Sequence, residues 1–262
     1  MEEASLWIKD IEIDFFKKSL EVASPEKLFY TTKDNKYYAY WPKNYKGKKT
    51  TLQSRNAFIG AYTEKWSQEL LKDIAKELNA FIVRGIICDE IELSNRSPGD
   101  IAICRTESRI QKPEDILALF EVKMSIVWNW EYHENNSNEP LVCLGDYKTH
   151  QGNPGMLRSD SMLKAIGKSI SVRIASLSSA GIPIIILGNT PITQSYYAKV
   201  DNLKKYGIIQ GFWSLNPSPL DNNGENIKHT TDKGFIRFDS FVEFRKSILS
   251  LLKEERTFFA GM

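Results

Sequence analysis

Asp100, Glu121 and Lys123 are the residues of this chain whose types and spacing could do chemistry. Ser97-Pro98-Gly99-Asp100 opens one apolar run, and Glu121-Val122-Lys123 closes a second. If both runs are neighbouring strands, two carboxylates and an ammonium meet at one point on a sheet. A carboxylate pair is a natural seat for a hard divalent cation such as Mg2+, which takes oxygen ligands and keeps waters for reaction. A lysine beside the pair can orient or deprotonate an attacking water. Phosphodiester hydrolysis needs these parts, because nucleophile, scissile phosphate and developing charge must be held around one centre.

The three-residue pattern also occurs at Asp34-Asn35-Lys36 and Asp146-Tyr147-Lys148. Asp34 lies in Thr-Lys-Asp-Asn-Lys, a polar turn composition with no strand behind it. Asp146 follows an apolar run, but Gly145 interrupts it immediately before the aspartate, and no proline-aspartate strand lies at suitable spacing upstream. Glu121 instead continues Ile116-Leu117-Ala118-Leu119-Phe120, so it is expected to project from a buried strand.

With Pro98-Gly99-Asp100 and Glu121-Val122-Lys123 so placed, the chain resembles the PD-(D/E)xK nuclease superfamily, differing by the glycine between proline and aspartate. The resemblance implies an α/β fold, a restriction-endonuclease-like αβββαβ core with a mixed central sheet flanked by helices. It also implies that Asp100 and Glu121 bind Mg2+ and that Lys123 is catalytic. In such nucleases a helix before the core often carries a glycine and, four residues on, a glutamate that contributes to the metal site. Gly60 and Glu64 fit that position, with Glu69 the alternative carboxylate on the same helix. The products would be a 5′-phosphate and a 3′-hydroxyl.

The elements that must position these residues are legible as periodicities. Arg55 to Leu78 reads as a helix with Phe58, Ile59, Tyr62, Trp66, Leu70, Leu71, Ile74 and Leu78 at helical spacing. Strands are expected near Ala80 to Ile87, Asp100 to Cys104 and Leu117 to Met124. A helix from Asp160 to Ser179, capped within Ser159-Asp160-Ser161, is expected to bury Met162, Leu163, Ile166, Ile170, Ile174 and Leu177, leaving Lys164, Lys168 and Arg173 for other faces. Ile182 to Leu187 reads as a buried strand, Ile192 to Lys205 as a helix and Ile208 to Leu215 as a strand. Ser5 to Val22 reads as an amphipathic helix, Gly234 to Phe238 as a strand and Ser240 to Glu255 as a helix. Glu131 to Glu139 reads as an exposed loop. This order divides the chain into an amino-terminal segment (1–54), a nuclease core (55–215) and a carboxyl-terminal addition (216–262), packed as one compact domain.

A chain of 262 residues with 42% hydrophobic content can bury a large core. Cys88, Cys104 and Cys143 are widely spaced without a C-x-x-C pair, and His133, His150 and His229 lack metal-ligand spacing, which disfavours a zinc hydrolase. No basic-then-apolar leader pattern and no apolar run of membrane-spanning length is visible, so a cytoplasmic protein with no membrane partner is expected.

The net charge of +2 allows a DNA enzyme if basic residues gather on one face. Between Asn35 and Arg55 stand Lys36, Lys43, Lys46, Lys48, Lys49 and Arg55 with no acid, interleaved with Tyr37, Tyr38, Tyr40, Trp41 and Tyr45. Such a mix can contact phosphates and pack on sugars or bases. Gln151, Asn153 and Arg158, in a glycine-rich loop, have the side chains that read base edges. Extra segments around the core suit sequence reading. The expected function is therefore a type II restriction endonuclease acting on double-stranded DNA, a homodimer matched to symmetric sites, with a methyltransferase of the same specificity as its functional partner. The rivals are a structure-directed repair or recombination nuclease and an inactive DNA-binding module. No G-x-S-x-G, P-loop or dinucleotide glycine pattern points elsewhere.

Overall fold

The computed structural model describes residues 5–136, 139–221 and 227–253. In chain order its helices and strands are α1 (Lys9–Leu20), α2 (Pro25–Leu28), β1 (Tyr30–Thr31), β2 (Tyr37–Tyr38), α3 (Gln53–Glu77), β3 (Phe81–Ile86), β4 (Gly99–Cys104), β5 (Ile116–Val122), β6 (Asn129–Tyr132), β7 (Leu141–Gly145), α4 (Ser159–Ala175), β8 (Ile184–Gly188), α5 (Tyr197–Lys205), β9 (Gly211–Ser214), β10 (Phe235–Arg237) and α6 (Phe241–Lys253). The expected end of the last helix at Glu255 lies outside the described residues.

Six strands form a mixed sheet in the order β10-β9-β8-β5-β4-β3. β3, β4 and β5 pair antiparallel, whereas β5, β8, β9 and β10 run parallel. Both faces of this sheet are covered, which is why β4, β5 and β8 read as continuous apolar runs instead of alternating ones. On one face Met162, Ala165 and Val172 of α4 and Val200 of α5 pack against Leu119, Ile184, Ile186 and Phe212. On the other, Leu70, Leu71 and Ile74 of α3 and Phe244 and Ile248 of α6 pack against Ile101, Ile103, Phe120 and Leu187.

A second, antiparallel sheet has the order β1-β2-β6-β7. It takes in part of the segment expected as an exposed loop, since Glu131 and Tyr132 belong to β6 and pair with Tyr38 and Tyr37 of β2. The polar composition misled there because pairing with β2 and β7 takes these residues into a sheet, where Asn129 and Trp130 are buried and Glu131 and Tyr132 partly so. Trp128 and Trp130 join Trp7, Phe15, Phe16 and Phe29 in an aromatic core beneath this sheet.

At its centre the Glu12 carboxylate is fully buried and accepts four N–H groups. Trp7 Nε1 and the Val127 amide reach Oε1 at 3.1 and 2.6 Å, while the Trp128 amide and Trp130 Nε1 reach Oε2 at 3.3 and 2.8 Å. Helix α1 is thereby tied to the chain leaving β5. The amino- and carboxyl-terminal segments both extend the sheets, β2 on β6 and β10 on β9.

Helix α4 packs differently from its apolar periodicity. Leu163, Ile174 and Leu177 are 62%, 73% and 82% exposed, and the inward positions are Met162, Ala165, Ser169, Val172 and Arg173. Small side chains at 165 and 169 let the helix lie close to the sheet. Arg173 is satisfied inside, donating to the carbonyls of Ile208 and Ser179 and to Gln210 Oε1. Ser159-Asp160-Ser161 forms the first helical turn and makes no side-chain cap.

Candidate active site

Strand register brings the acids together. Ile101 pairs with Phe120 and Ala102 with Leu119 across the antiparallel β4–β5 ladder. The same register sets Asp100 opposite Glu121, and opposed residues project to one side of a sheet. Lys123, two residues beyond Glu121, returns to that side; its amide continues the ladder to Leu187 O at 2.7 Å.

All three side chains are mostly buried. Lys123 Nζ lies 2.5 Å from Glu121 Oε1 and 3.9 Å from Asp100 Oδ2. Asp100 Oδ2 also accepts the Val122 amide at 2.8 Å, which fixes the aspartate against the strand that carries its partner. Asp34 lies in the β1–β2 turn, and Asp146 holds the Lys148 and Asp221 amides in a loop after β7, so neither alternative motif joins this cluster.

A fourth residue completes the cluster. Lys168 reaches down from α4, placing Nζ 2.6 Å from Glu121 Oε2 and 3.2 Å from Asp100 Oδ1. Burial by itself would lower its pKa, but the Glu121 and Asp100 carboxylates outweigh that and hold it above the ordinary lysine value. The repulsion between adjacent carboxylates is thus offset by two ammonium groups. Sequence reading missed Lys168 because the large aliphatics of α4 pointed to the wrong face. The available signal was a lysine at helical spacing with Ala165 and Val172, an inward position for a charge.

The structure distinguishes the two helix carboxylates. Glu64 lies close enough to Asp100 and Glu121 for their charges, after burial, to push its carboxyl above the usual range, and Arg84 Nε stands 4.0 Å from it. Glu69 pairs with Lys72 at 2.6 Å on the exposed side of α3. Among the described residues, no three carboxylate, imidazole or thiol side chains converge as a ready ligand set. Asp100 and Glu121 alone nonetheless offer hard oxygen donors directed at one point that already draws an ammonium. Mg2+ binds through one or two carboxylates and completes its shell with water and phosphate oxygens, so this pair fits it.

Beside Lys123 opens a cleft of about 660 Å³. The chain matches no family model, no curated protein and no solved structure.

Of the residues expected to touch DNA, Lys49, Arg55, Gln151, Asn153 and Arg158 line the cleft together with Lys123, and Lys164 adds a further cation. Lys43, Lys46 and Lys48 are exposed on the neighbouring loop but not in the cleft wall. Arg158 and Lys164 share the Asp160 carboxylate of the same wall at 3.6 and 3.1 Å, and Arg55 and Gln151 are committed to backbone carbonyls. Arg55 is buried, donates to the carbonyls of Leu28 and Ala39, and lies over the rings of Tyr30 and Tyr40. Gln151 Nε2 donates to the carbonyls of Pro42, Lys43 and Tyr45, tying down the basic loop. The aromatic residues pack largely on one another: Trp41 stacks between Tyr30 and Tyr45, and Tyr40 lies on His150 at 3.8 Å. Burial lowers the His150 pKa to about 4, so the ring beneath Tyr40 is neutral at physiological pH.

The end of β8 braces both walls. Asn189 is fully buried; its Oδ1 accepts the Ser125 amide at 3.1 Å and its Nδ2 donates to the Ser125 carbonyl at 2.6 Å. Thr190 Oγ1 accepts the Met156 amide at 2.9 Å. Gly155, at φ +52°, presses against the Lys123 carbonyl, where an added Cβ would come within 3.1 Å. These contacts hold the backbone from Lys123 to Ser125.

Proposed function

We propose that this chain is a Mg2+-dependent nuclease that hydrolyses double-stranded DNA at specific sequences, a type II restriction endonuclease. The observation that carries the reading is the convergence of Asp100, Glu121 and Lys123 at one end of a mixed sheet, beside a cleft lined by Lys49, Arg158 and Lys164. The order α3-β3-β4-β5-α4-β8 of the elements that build and cover the six-stranded sheet supports it, since it follows the αβββαβ order of the superfamily that the motif resembles, with β6 and β7 of the second sheet inserted between β5 and α4.

In this reading Asp100 and Glu121 hold Mg2+, with Glu64 acting through water. The ion supplies Lewis-acid stabilisation of the phosphate's developing charge. Lys123 positions the attacking water and offsets phosphate charge. The water oxygen bonds to phosphorus as the bond from phosphorus to the 3′ oxygen breaks. The leaving oxygen gains a proton, giving a 3′-hydroxyl and a 5′-phosphate. A homodimer would match a symmetric site, and a methyltransferase of the same specificity would protect the host's own copies.

The test is digestion of unmethylated phage DNA with Mg2+ and an EDTA control. Discrete fragments in Mg2+ alone are expected, and Asp100→Ala or Lys123→Ala should abolish them while folding is retained. Cleavage at the parental rate by either variant would overturn the assignment of these residues, and a smear would favour a structure-directed nuclease. The pairing of both acids with lysines gives some support to a DNA-binding module without turnover. Retarded but intact DNA would select that reading.

A further inference from the structure

We infer that Lys168 is the built-in second cation of this centre, so that the acidic pair takes up one divalent ion per chain and not two. The inference rests on the nuclease reading above and concerns how the same site is charged. Each of the four carboxylate oxygens has a partner. Glu121 Oε1 faces Lys123, Asp100 Oδ2 takes the Val122 amide, and Glu121 Oε2 and Asp100 Oδ1 share the Lys168 ammonium at 2.6 and 3.2 Å. The Lys168 ammonium thus spans one oxygen of each carboxylate, a position that a second cation at this pair would have to contest.

The position of Lys168 is set by packing. Ala165, Ser169 and Val172 bury the surrounding side of α4 against the sheet. The lysine stem passes through this layer, leaving the side chain only 24% exposed. Charge balance favours the same conclusion. Asp100, Glu121 and Glu64 are matched by Lys123, Lys168 and Arg84. One divalent ion then gives a net positive centre suited to a phosphate, whereas a second would have to enter against two ammonium groups in a half-buried site. Removing the ammonium would reopen the bridging position.

Mn2+, whose free ion can be counted by its paramagnetic resonance, is the probe. It would be titrated into the full chain without DNA for the wild type, Lys168→Met, Lys168→Gln and Lys168→Arg, with far-ultraviolet circular dichroism as a folding check. The expected result is one Mn2+ per chain in the wild type and in Lys168→Arg, two in Lys168→Met and Lys168→Gln, and loss of binding in Asp100→Asn. No Mn2+ or two Mn2+ in the wild type would overturn the inference, as would a single equivalent in the folded Met or Gln variant. Failure of the nuclease reading is separately visible, because the wild type would then leave DNA intact while its Mn2+ count still decides the role of Lys168.

Discussion

Arg55 offers a decisive perturbation, because its sequence context marks it as a phosphate contact while its environment marks it as a strut. Its guanidinium is buried, bonds the carbonyls of Leu28 and Ala39 and lies 4.9 and 5.3 Å from the ring centroids of Tyr30 and Tyr40. Hydrogen bonds from a charged donor contribute ~1.5–3 kcal/mol each, and a cation over a ring adds ~0.5–1 kcal/mol or more when desolvated. Arg55→Met keeps much of the stem packing but leaves two carbonyls without their donor, so the net loss should be about 3–5 kcal/mol. That is a large fraction of the ~5–15 kcal/mol typical of a folded domain. Urea denaturation followed by tryptophan fluorescence would read it, Trp41 being stacked on Tyr30 beside the site. The DNA-binding assay is complementary. Loss of one phosphate contact reduces the slope of log affinity against log salt by about 0.9. Lys49→Gln, at an exposed residue of the cleft wall, should show that reduction with little change in stability, and Arg55→Met the reverse. An Arg55→Met protein within about 0.5 kcal/mol of wild type that had lost a unit of salt slope would refute the reasoning.

Two further outcomes follow from the buried polar contacts. Burial pushes the Glu12 carboxyl from 4.5 up to about 7, against the pull of its four N–H donors. The folded chain therefore holds this proton more tightly than the unfolded one. Its contribution to stability is full below pH 4.5, declines as pH rises toward 7 and is absent above, a change of about 3 kcal/mol. Urea midpoints across that range should show this slope in the wild type and not in Glu12→Gln; parallel profiles would refute it. Asn189→Ala removes both bonds to Ser125 and should cost about 2–3 kcal/mol. Because Ser125 lies two residues beyond Lys123, DNA cleavage should fall further than DNA binding. Equal losses in both assays would show that Asn189 only supports the fold.

What the sequence determined by itself was the local order. Covered strands require unbroken apolar runs, so β4, β5 and β8 were visible, and a carboxylate at the end of such a run stands out because burying a charge is costly. Asp100, Glu121 and Lys123 were legible for that reason, whereas the choice between Glu64 and Glu69 on α3 was open in the sequence and was decided by which side of the helix faces the acids. Tertiary structure decided which side chains turned inward. The face of α4 was set by the small residues Ala165 and Ser169, which allow close approach, and not by Leu163, Ile170 and Ile174, whose periodicity pointed outward. Lys168, Arg55 and Glu12 could not be interpreted locally, because each finds its partners on elements distant in the chain: the β4–β5 acids, the carbonyls of Leu28 and Ala39, and the amides of Val127 and Trp128. A charged residue in sequence defaults to solvent; only long-range packing supplies the opposite charge or hydrogen bonds that make its burial stable.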